Sequence, residues 1–142
     1  MPNAGDIDRT TNFLLLSVSK LATTAISKGQ IVSLKDGRPW QAGDTGPFGV
    51  AWQNVANGAD MSGKILVDGI VWVAAAGAIA QYAPVVPSTV AYVTTATTLT
   101  LGTGSSGGTG MTGSLMPGGM ILGTAWDAAV NSGDLLRISL YA

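Results

Sequence analysis

The chain has no cysteine, no histidine and no glutamate among its 142 residues. Without cysteine there is no disulfide framework, so cysteine usage says nothing about the redox compartment. The absence of cysteine and histidine removes the commonest ligands of structural metal ions, the usual proton shuttle near neutral pH and the most reactive nucleophile. An enzyme is therefore the weakest interpretation, and we predict no catalytic residue, no metal site and no cofactor.

Charge is scarce as well. Charged residues make up 11% of the chain, less than half of the usual quarter, and the net charge is −1. No basic field is present to attract nucleic acid or an anionic membrane surface. Residues 69–126 contain no charged side chain at all, yet they are too rich in Ala, Gly, Ser and Thr to form only core. We expect other copies of the chain to cover this uncharged surface.

Long hydrophobic runs are also missing. The longest apolar run, residues 69–80, is about a dozen residues, which is too short to cross a bilayer as a helix. Asp6 and Asp8 lie where a secretory signal would need basic residues. The length is that of one compact domain, and it suffices to bury a core without disulfides or metal.

What the sequence does contain is a repeat. The stretch GVAWQNVANGAD at residues 49–60 recurs as GTAWDAAVNSGD at residues 123–134. Each copy leads into an apolar, β-branched segment, which predicts a strand, a turn and a second strand. One such hairpin cannot bury its apolar face, whereas two can close over a common core. The identical pairs are Gly49/Gly123, Ala51/Ala125, Trp52/Trp126, Asn57/Asn131 and Asp60/Asp134.

The remaining chain fits an all-β protein, because no segment has apolar residues at helical spacing. Residues 1–12 are polar and without periodicity, which predicts a flexible N-terminal arm. Residues 13–142 are predicted to form a single compact domain, like a β-barrel or β-sandwich, built from two related hairpin units. Within it, the glycine-rich residues 102–119 are predicted to be a flexible loop.

Few motifs point to chemistry. Residues 102–107 (GTGSSG) fit the dinucleotide pattern, but the glycines that follow break the helix that would face the phosphates. Asp60 and Asp134 are interpreted as turn residues that bond their own backbone rather than as a catalytic pair. For Trp52 and Trp126 we predict a paired role in the core.

A family resemblance rests on short segments in a fixed order. The chain resembles the small capsid decoration (cement) proteins of tailed phages over roughly residues 27–140. The segments that carry the likeness are KGQIVSL at 28–34, DG at 36–37, PFGVA at 47–51, NGAD at 57–60, VDGIVWV at 67–73, GTA at 123–125, GD at 133–134 and RISL at 137–140.

The resemblance implies a non-enzymatic, barrel-like virion protein on the outer capsid surface. Such a protein trimerises and clamps neighbouring major capsid proteins against the pressure of packaged DNA. Its N-terminal arm becomes ordered on the shell, where avidity through a trimer strengthens a weak grip. The candidate capsid-binding residues are Asn3, Ile7, Asp8, Arg9, Asn12 and Phe13, and the candidate subunit-interface residues are Trp40, Trp72 and Tyr82. The implied partners are the major capsid protein and other copies, with neither nucleic acid nor membrane.

Two alternatives stay open. One is another virion β-module, such as a tail-tube or fibre-base component. The other is a carbohydrate-binding module in which Trp40 and Trp72 stack on sugar rings.

Overall fold

The computed structural model describes residues 2–96, 99–101, 113–115 and 121–140. These ranges contain strands and no helix, which confirms the all-β prediction. The strands are β1 (Leu14–Leu15), β2 (Ile31–Ser33), β3 (Arg38–Pro39), β4 (Phe48–Ala51), β5 (Ile65–Ala75), β6 (Pro84–Pro87), β7 (Tyr92–Thr95), β8 (Leu99–Leu101), β9 (Gly113–Leu115), β10 (Gly123–Ala125) and β11 (Leu135–Leu140).

Nine of these strands form one sheet, and part of it closes on itself. The order is β11-β10-β6-β7-β5-β4-β2-β3, with β1 pairing to β5. Because β11 also pairs with β5, the strands β5, β11, β10, β6 and β7 form a closed five-stranded barrel. The predicted compact barrel-like domain is therefore confirmed. The strands β8 and β9 pair only with each other in the described part of the chain.

The longest strand, β5, belongs to both halves of the sheet. Ile65 and Leu66 pair with β4, whereas the stretch from Gly69 onward pairs with β11. Side chains of β5 alternate between the core and partial exposure from Gly69 to its end, as the period of two in a strand requires. This strand therefore joins two neighbouring groups of strands through one continuous backbone.

The repeat is larger than the predicted hairpin. The neighbour order β3-β2-β4-β5 recurs as β7-β6-β10-β11. The register recurs with it, since Val32 lies opposite Gly49 and Val85 lies opposite Gly123. We call β1–β4 with the start of β5 the first unit, and the rest of β5 with β6, β7, β10 and β11 the second unit. Reciprocal backbone hydrogen bonds link matching pairs, Ile26 with Val55 and Ile79 with Ala129.

The glycine that opens each repeat allows strands to approach closely. A Cβ atom on Gly49 would lie 2.5 Å from Cγ2 of Ile65, and one on Gly123 would overlap the carbonyl oxygen of Ser139. Both positions are tighter than real Cβ contacts, so any side chain would push the neighbouring strand away. The match between Gly49 and Gly123 in the sequence therefore has a packing cause.

The core is duplicated along with the backbone. Buried residues of the first unit form a cluster of their own. Five residues of this cluster have a buried counterpart at the matching position of the second unit. On the other face of the first unit, Ile31, Val50 and Leu66 pack into the cluster of the second unit. The units are thus joined by apolar contact as well as by β5. The matching pairs are Ala22/Ala75, Ile26/Ile79, Val32/Val85, Ala51/Ala125 and Val55/Ala129.

Residues 2–12, which the sequence predicts to be a flexible arm, lie along β5. Ile7 forms a β-bridge with Val71, and Asp8 N–H donates to the carbonyl of Ile70 at 2.8 Å. Gly5 N–H donates to the carbonyl of Trp72, also at 2.8 Å. The flexibility of this arm in solution stays a prediction. The structure shows one position of the arm, in which it is hydrogen-bonded to β5. Composition did not reveal that position because backbone groups make the bonds.

Candidate interaction surfaces

The N-terminal arm is inserted between the two units. A Cβ atom on Gly5 would lie 2.7 Å from the carbonyl oxygen of Ala51 and 2.7 Å from the amide nitrogen of Gly29. On its other side the same residue donates its amide hydrogen to Trp72 of β5. Only glycine fits this gap, and its φ of 90° is one that L side chains rarely adopt.

Two carboxylates of the arm are held by hydrogen bonds. Lys28 forms an ion pair with Asp6, and its hydrogen bond is the main cause that lowers the pKa of Asp6. For Asp8, hydrogen bonds from Thr10 lower the pKa most, and Arg137 lies 3.6 Å away and contributes to the same direction. The lowered pKa values favour the ionised form of both carboxylates. Their bonds hold the arm against its own chain, so neither carboxylate is left unpaired to bind a partner or a cation.

The candidate capsid-binding residues divide into two groups. Ile7 is half-buried against the core and Asp8 is half-buried in its ion pair. The side chains that face solvent are those of Asn3, Arg9, Asn12 and Phe13. The guanidinium of Arg9 lies 5.7 Å from the Phe13 ring centroid and 5.3 Å from that of Trp52. Their contact with a capsid stays a prediction.

The three candidate interface residues occupy different surroundings. Trp40 is half-buried and packs against the core cluster of the second unit. Trp72 is half-buried, and the guanidinium of Arg137 lies 5.6 Å from its ring centroid. Tyr82 is the exposed member, with 63% of its surface accessible. Of the three, only Tyr82 is mostly open to solvent, and the roles predicted for all three in binding stay predictions.

The predicted core role of Trp52 and Trp126 is wrong. Trp52 is half-buried and donates its indole hydrogen to the carbonyl of Gly63 at 2.9 Å, and Trp126 is 44% exposed. The preceding alanines of each repeat, Ala51 and Ala125, take the core positions. Because successive side chains of a strand point to opposite faces, the tryptophans turn outward.

Tyr82 and Trp126 form an exposed aromatic pair on the surface of the second unit. The rings of Tyr82 and Trp126 lie 6.2 Å apart at 78°, an edge-to-face arrangement. Tyr82 has a φ of 67°, the only positive value at a residue other than glycine in the described chain. Its counterpart in the first unit is Gly29, because Gly29 and Tyr82 donate equivalent hydrogen bonds to Ala51 and Ala125. A bulky side chain thus stands where glycine would be unstrained.

Exposed apolar side chains concentrate in two places. The first is the segment that leads through β1, where Leu14, Val18 and Leu21 are all more than half exposed. The second is the end that carries Tyr82 and Trp126. The eight large apolar side chains exposed in the described residues are Phe13, Leu14, Val18, Leu21, Tyr82, Tyr92, Trp126 and Val130.

The paired carboxylates of the repeats are turn residues, as predicted. Asp60 accepts hydrogen bonds from the Ser62 amide and from Ser19 Oγ, and the Ser62 bond is the main cause that lowers its pKa. Asp134 accepts from the amides of Val130 and Asn131, and the Asn131 bond lowers its pKa most. Asp134 thus closes its own loop, and Asp60 holds its own turn and also fastens that turn to Ser19 and Lys20.

In residues 2–96, 99–101, 113–115 and 121–140, no group of three or more acidic side chains is placed to hold a metal ion. Within the same ranges there is no helix long and apolar enough to cross a bilayer. The glycine pattern at residues 102–107 lies outside the described residues. So does most of the predicted loop 102–119, of which residues 113–115 pair with β8.

Comparison of the chain with protein families, with curated proteins and with solved structures gave no match.

Proposed function

We propose that this protein is a structural virion protein that binds the outside of a tailed-phage capsid. As a homotrimer it stabilises the shell by clamping neighbouring major capsid proteins. The observation that carries the proposal is the character of the described surface. Most of its large exposed apolar side chains are gathered in two places. Three cations, Lys28, Arg38 and Arg137, hold five of the carboxylates in ion pairs. Such a surface favours binding by shape and apolar contact rather than by long-range charge.

The positions of the resemblance motifs add support. The segments at residues 28–34, 47–51 and 67–73 contain β2, β4 and most of β5, and those at 123–125 and 137–140 fall on β10 and β11. The short segments at 36–37, 57–60 and 133–134 lie in the connections between neighbouring strands, so the resemblance follows the succession of strands and turns in each unit. This is the pattern expected when a likeness comes from a common fold.

Sedimentation with expanded heads of the cognate phage tests the proposal. We expect wild-type protein to sediment with the heads and to saturate at a fixed number of copies per head. Replacing the exposed arm residues Asn3 and Arg9 by alanine should weaken binding about tenfold, which corresponds to about 1.4 kcal/mol. The matched control is Lys35→Ala, which removes an exposed cation from the turn between β2 and β3.

Point variants are preferable to deleting the arm, because Gly5, Asp6 and Asp8 bond to the folded body. Wild-type protein that fails to sediment with the heads would refute the capsid role. Full occupancy by the Asn3 and Arg9 variants would remove the arm from the contact and leave the remainder of the proposal standing.

A further inference from the structure

The contact between the two units gives a pattern for contact between copies. In the first unit, the end that carries Gly29 and Trp52 is covered. A Cβ atom on Gly29 would lie 2.9 Å from Cβ of Ala4, and Arg9 lies over the Trp52 ring. Beyond the arm stands β5 of the second unit, which bonds to Gly5, Ile7 and Asp8. The end of the first unit that carries Gly29 and Trp52 thus faces strand β5 of the second unit across the arm.

In the second unit the matching end is open. Tyr82 takes the place of Gly29 and Trp126 takes the place of Trp52. No arm residue is placed over them in the described chain, and their exposed fractions are 63% and 44%. This open end is called the tail surface, defined by Tyr82 and Trp126.

The first unit has the complementary open surface. Its leading segment, residues 14–21, matches the part of β5 that the arm covers in the second unit, because each runs beside the strand that follows a repeat. Val71 is fully buried and bridges to Ile7, whereas Val18 is 67% exposed. The open segment, called the head surface, is defined by Leu14, Val18 and Leu21. The match rests on backbone partners, since Leu16 bonds to Ile65 as Val71 pairs with Ile138. Ile65 and Ile138 are equivalent because they lie opposite Ala51 and Ala125.

We propose that copies of this chain associate head to tail, with the tail surface of one copy packed against the head surface of the next. A contact of this kind already exists once inside each chain, between the two units. The tail surface and the head surface are the two sides of that contact that stay open. Six of the eight large exposed apolar side chains lie on the two surfaces or beside them in sequence, namely Phe13, Leu14, Val18, Leu21, Tyr82 and Trp126. The rings of Tyr82 and Trp126 then fill the space that Ala4 and Arg9 fill within the chain.

A contact between two different surfaces is heterologous, so it closes into a ring when the rotation between copies allows. In a trimer, three such contacts would alternate with the three internal ones, and six related units would follow one another around the ring. Head-to-tail association rests on the proposed function in one respect: both require copies of this chain to assemble with one another. The backbone strain at Tyr82 is consistent with a side chain retained for contact rather than for folding.

Mixing two damaged copies tests the arrangement. Light scattering at about 100 µM chain, where a contact with a Kd near 1 µM is nearly saturated, should give a multiple of the 14.3 kDa chain mass for wild type. Val18→Asp damages the head and Tyr82→Gly damages the tail, and each alone should be monomeric. Their equal mixture should form a dimer, because one intact tail still meets one intact head. The matched control Tyr92→Ser removes an exposed ring outside both surfaces and should leave the assembly intact.

Several outcomes would overturn head-to-tail association. These are a monomeric wild type, a mixture that stays monomeric, or loss of assembly from only one of the two variants, which would indicate a symmetric contact. Circular dichroism checks folding, and Leu21→Ser with Trp126→Ser replaces the first pair if either variant unfolds. A monomer that still saturates phage heads would refute head-to-tail association and the trimer, and would leave capsid binding standing. An oligomer that ignores heads would refute the capsid role alone.

Discussion

The two units share a backbone pattern but differ in how their ends are finished. In the first unit, Gly29 makes a tight turn with a φ of 89° and is covered by Ala4. In the second unit the equivalent turn carries Tyr82, which is exposed and adopts a φ of 67°. The same hydrogen bonds therefore support a covered glycine in one unit and an open aromatic side chain in the other.

The difference shows which parts of a repeat are fixed by folding. Positions where strands approach closely, such as Gly49 and Gly123, are identical in both units. Positions just after the same strands, such as Gln53 and Asp127, differ between the units. Each unit retains its close-packed places, while its outer face is determined by the arm, by solvent or by a partner.

The largest effect is expected from breaking the shared glycine. Gly123→Ala should destabilise the fold by about 3 kcal/mol or more, because overpacking commonly costs 1–3 kcal/mol and here the obstacle is backbone, the Ser139 carbonyl. Gly49→Ala should cost less, since the nearest backbone atom, the Leu66 carbonyl oxygen, would lie 2.8 Å from its Cβ, whereas the Ser139 oxygen would overlap a Cβ at Gly123. Denaturant unfolding followed by tryptophan fluorescence measures both.

The control for these substitutions is Gly77→Ala. No heavy atom lies within 4 Å of a Cβ placed on Gly77, and its φ is not positive. Its free energy of unfolding should change by less than about 1 kcal/mol, with a gain from reduced freedom of the unfolded chain. Equal losses from Gly77→Ala and Gly123→Ala would contradict the packing explanation.

The next effect sharpens the contrast between the turns. Gly29→Ala should destabilise the protein by about 1–3 kcal/mol, because a left-handed backbone strains any side chain and Ala4 stands in the way. Tyr82→Gly should change stability by less than about 1 kcal/mol. Relief of strain offsets the lost contact with Trp126 and the greater freedom of glycine when unfolded.

Thermal and denaturant unfolding under conditions that keep the protein monomeric separate these two variants. A large loss from Tyr82→Gly would show that the aromatic pair holds the fold. The tyrosine would then need no partner to explain it.

The smallest effect concerns charge. The hydrogen bond from Arg137 is the main cause that lowers the pKa of Asp127. The two residues stand at places that Gln53 and Lys64 occupy in the first unit, as the bonds of Trp126 to Arg137 and Trp52 to Lys64 indicate. A carboxylate with a lowered pKa in the folded state stabilises the protein above its unfolded pKa, near 3.8, and that contribution is lost as pH falls through the folded value.

We therefore expect the free energy of unfolding to be nearly constant between about pH 5 and 7, where neither histidine nor glutamate is present to titrate, and to fall below about pH 4. Asp127→Asn should cost about 0.5–1 kcal/mol at pH 7 and reduce the acid loss. Urea titrations at several pH values measure this, with Asp68→Asn as an exposed control. A marked fall between pH 7 and 5 would contradict the assignment.

The repeat was visible in the sequence only where side chains are constrained. The pairs Gly49/Gly123 and Ala51/Ala125 are recognisable because both members meet neighbouring strands. The matching turns at residues 26–30 and 79–83 share little besides their first isoleucine, although their backbone bonds are the same. Backbone hydrogen bonds accept almost any side chain, so the exposed positions of these turns differ while buried positions such as Ile26 and Ile79 agree.

The candidate surfaces were harder to predict than the fold. The sequence predicts a contact role for Tyr82, which is exposed, and a core position for Trp126, which lies open beside it. The arm was recognised by its polarity, but its place between the units depends on Gly5 fitting a gap that exists only after both units have formed. Which of two alternating faces becomes buried depends on the neighbouring strand, which a local pattern does not identify.

By itself the sequence determined that the chain is all-β, repeated and poor in charge and proton-transferring groups, because periodicity, glycine spacing and composition are local properties. The tertiary structure decided how β5 joins the units, where the arm inserts, and which apolar side chains stay open. These follow from pairings between residues far apart in the chain, whose free energy comes from shared burial and backbone bonding rather than from the type of any single residue.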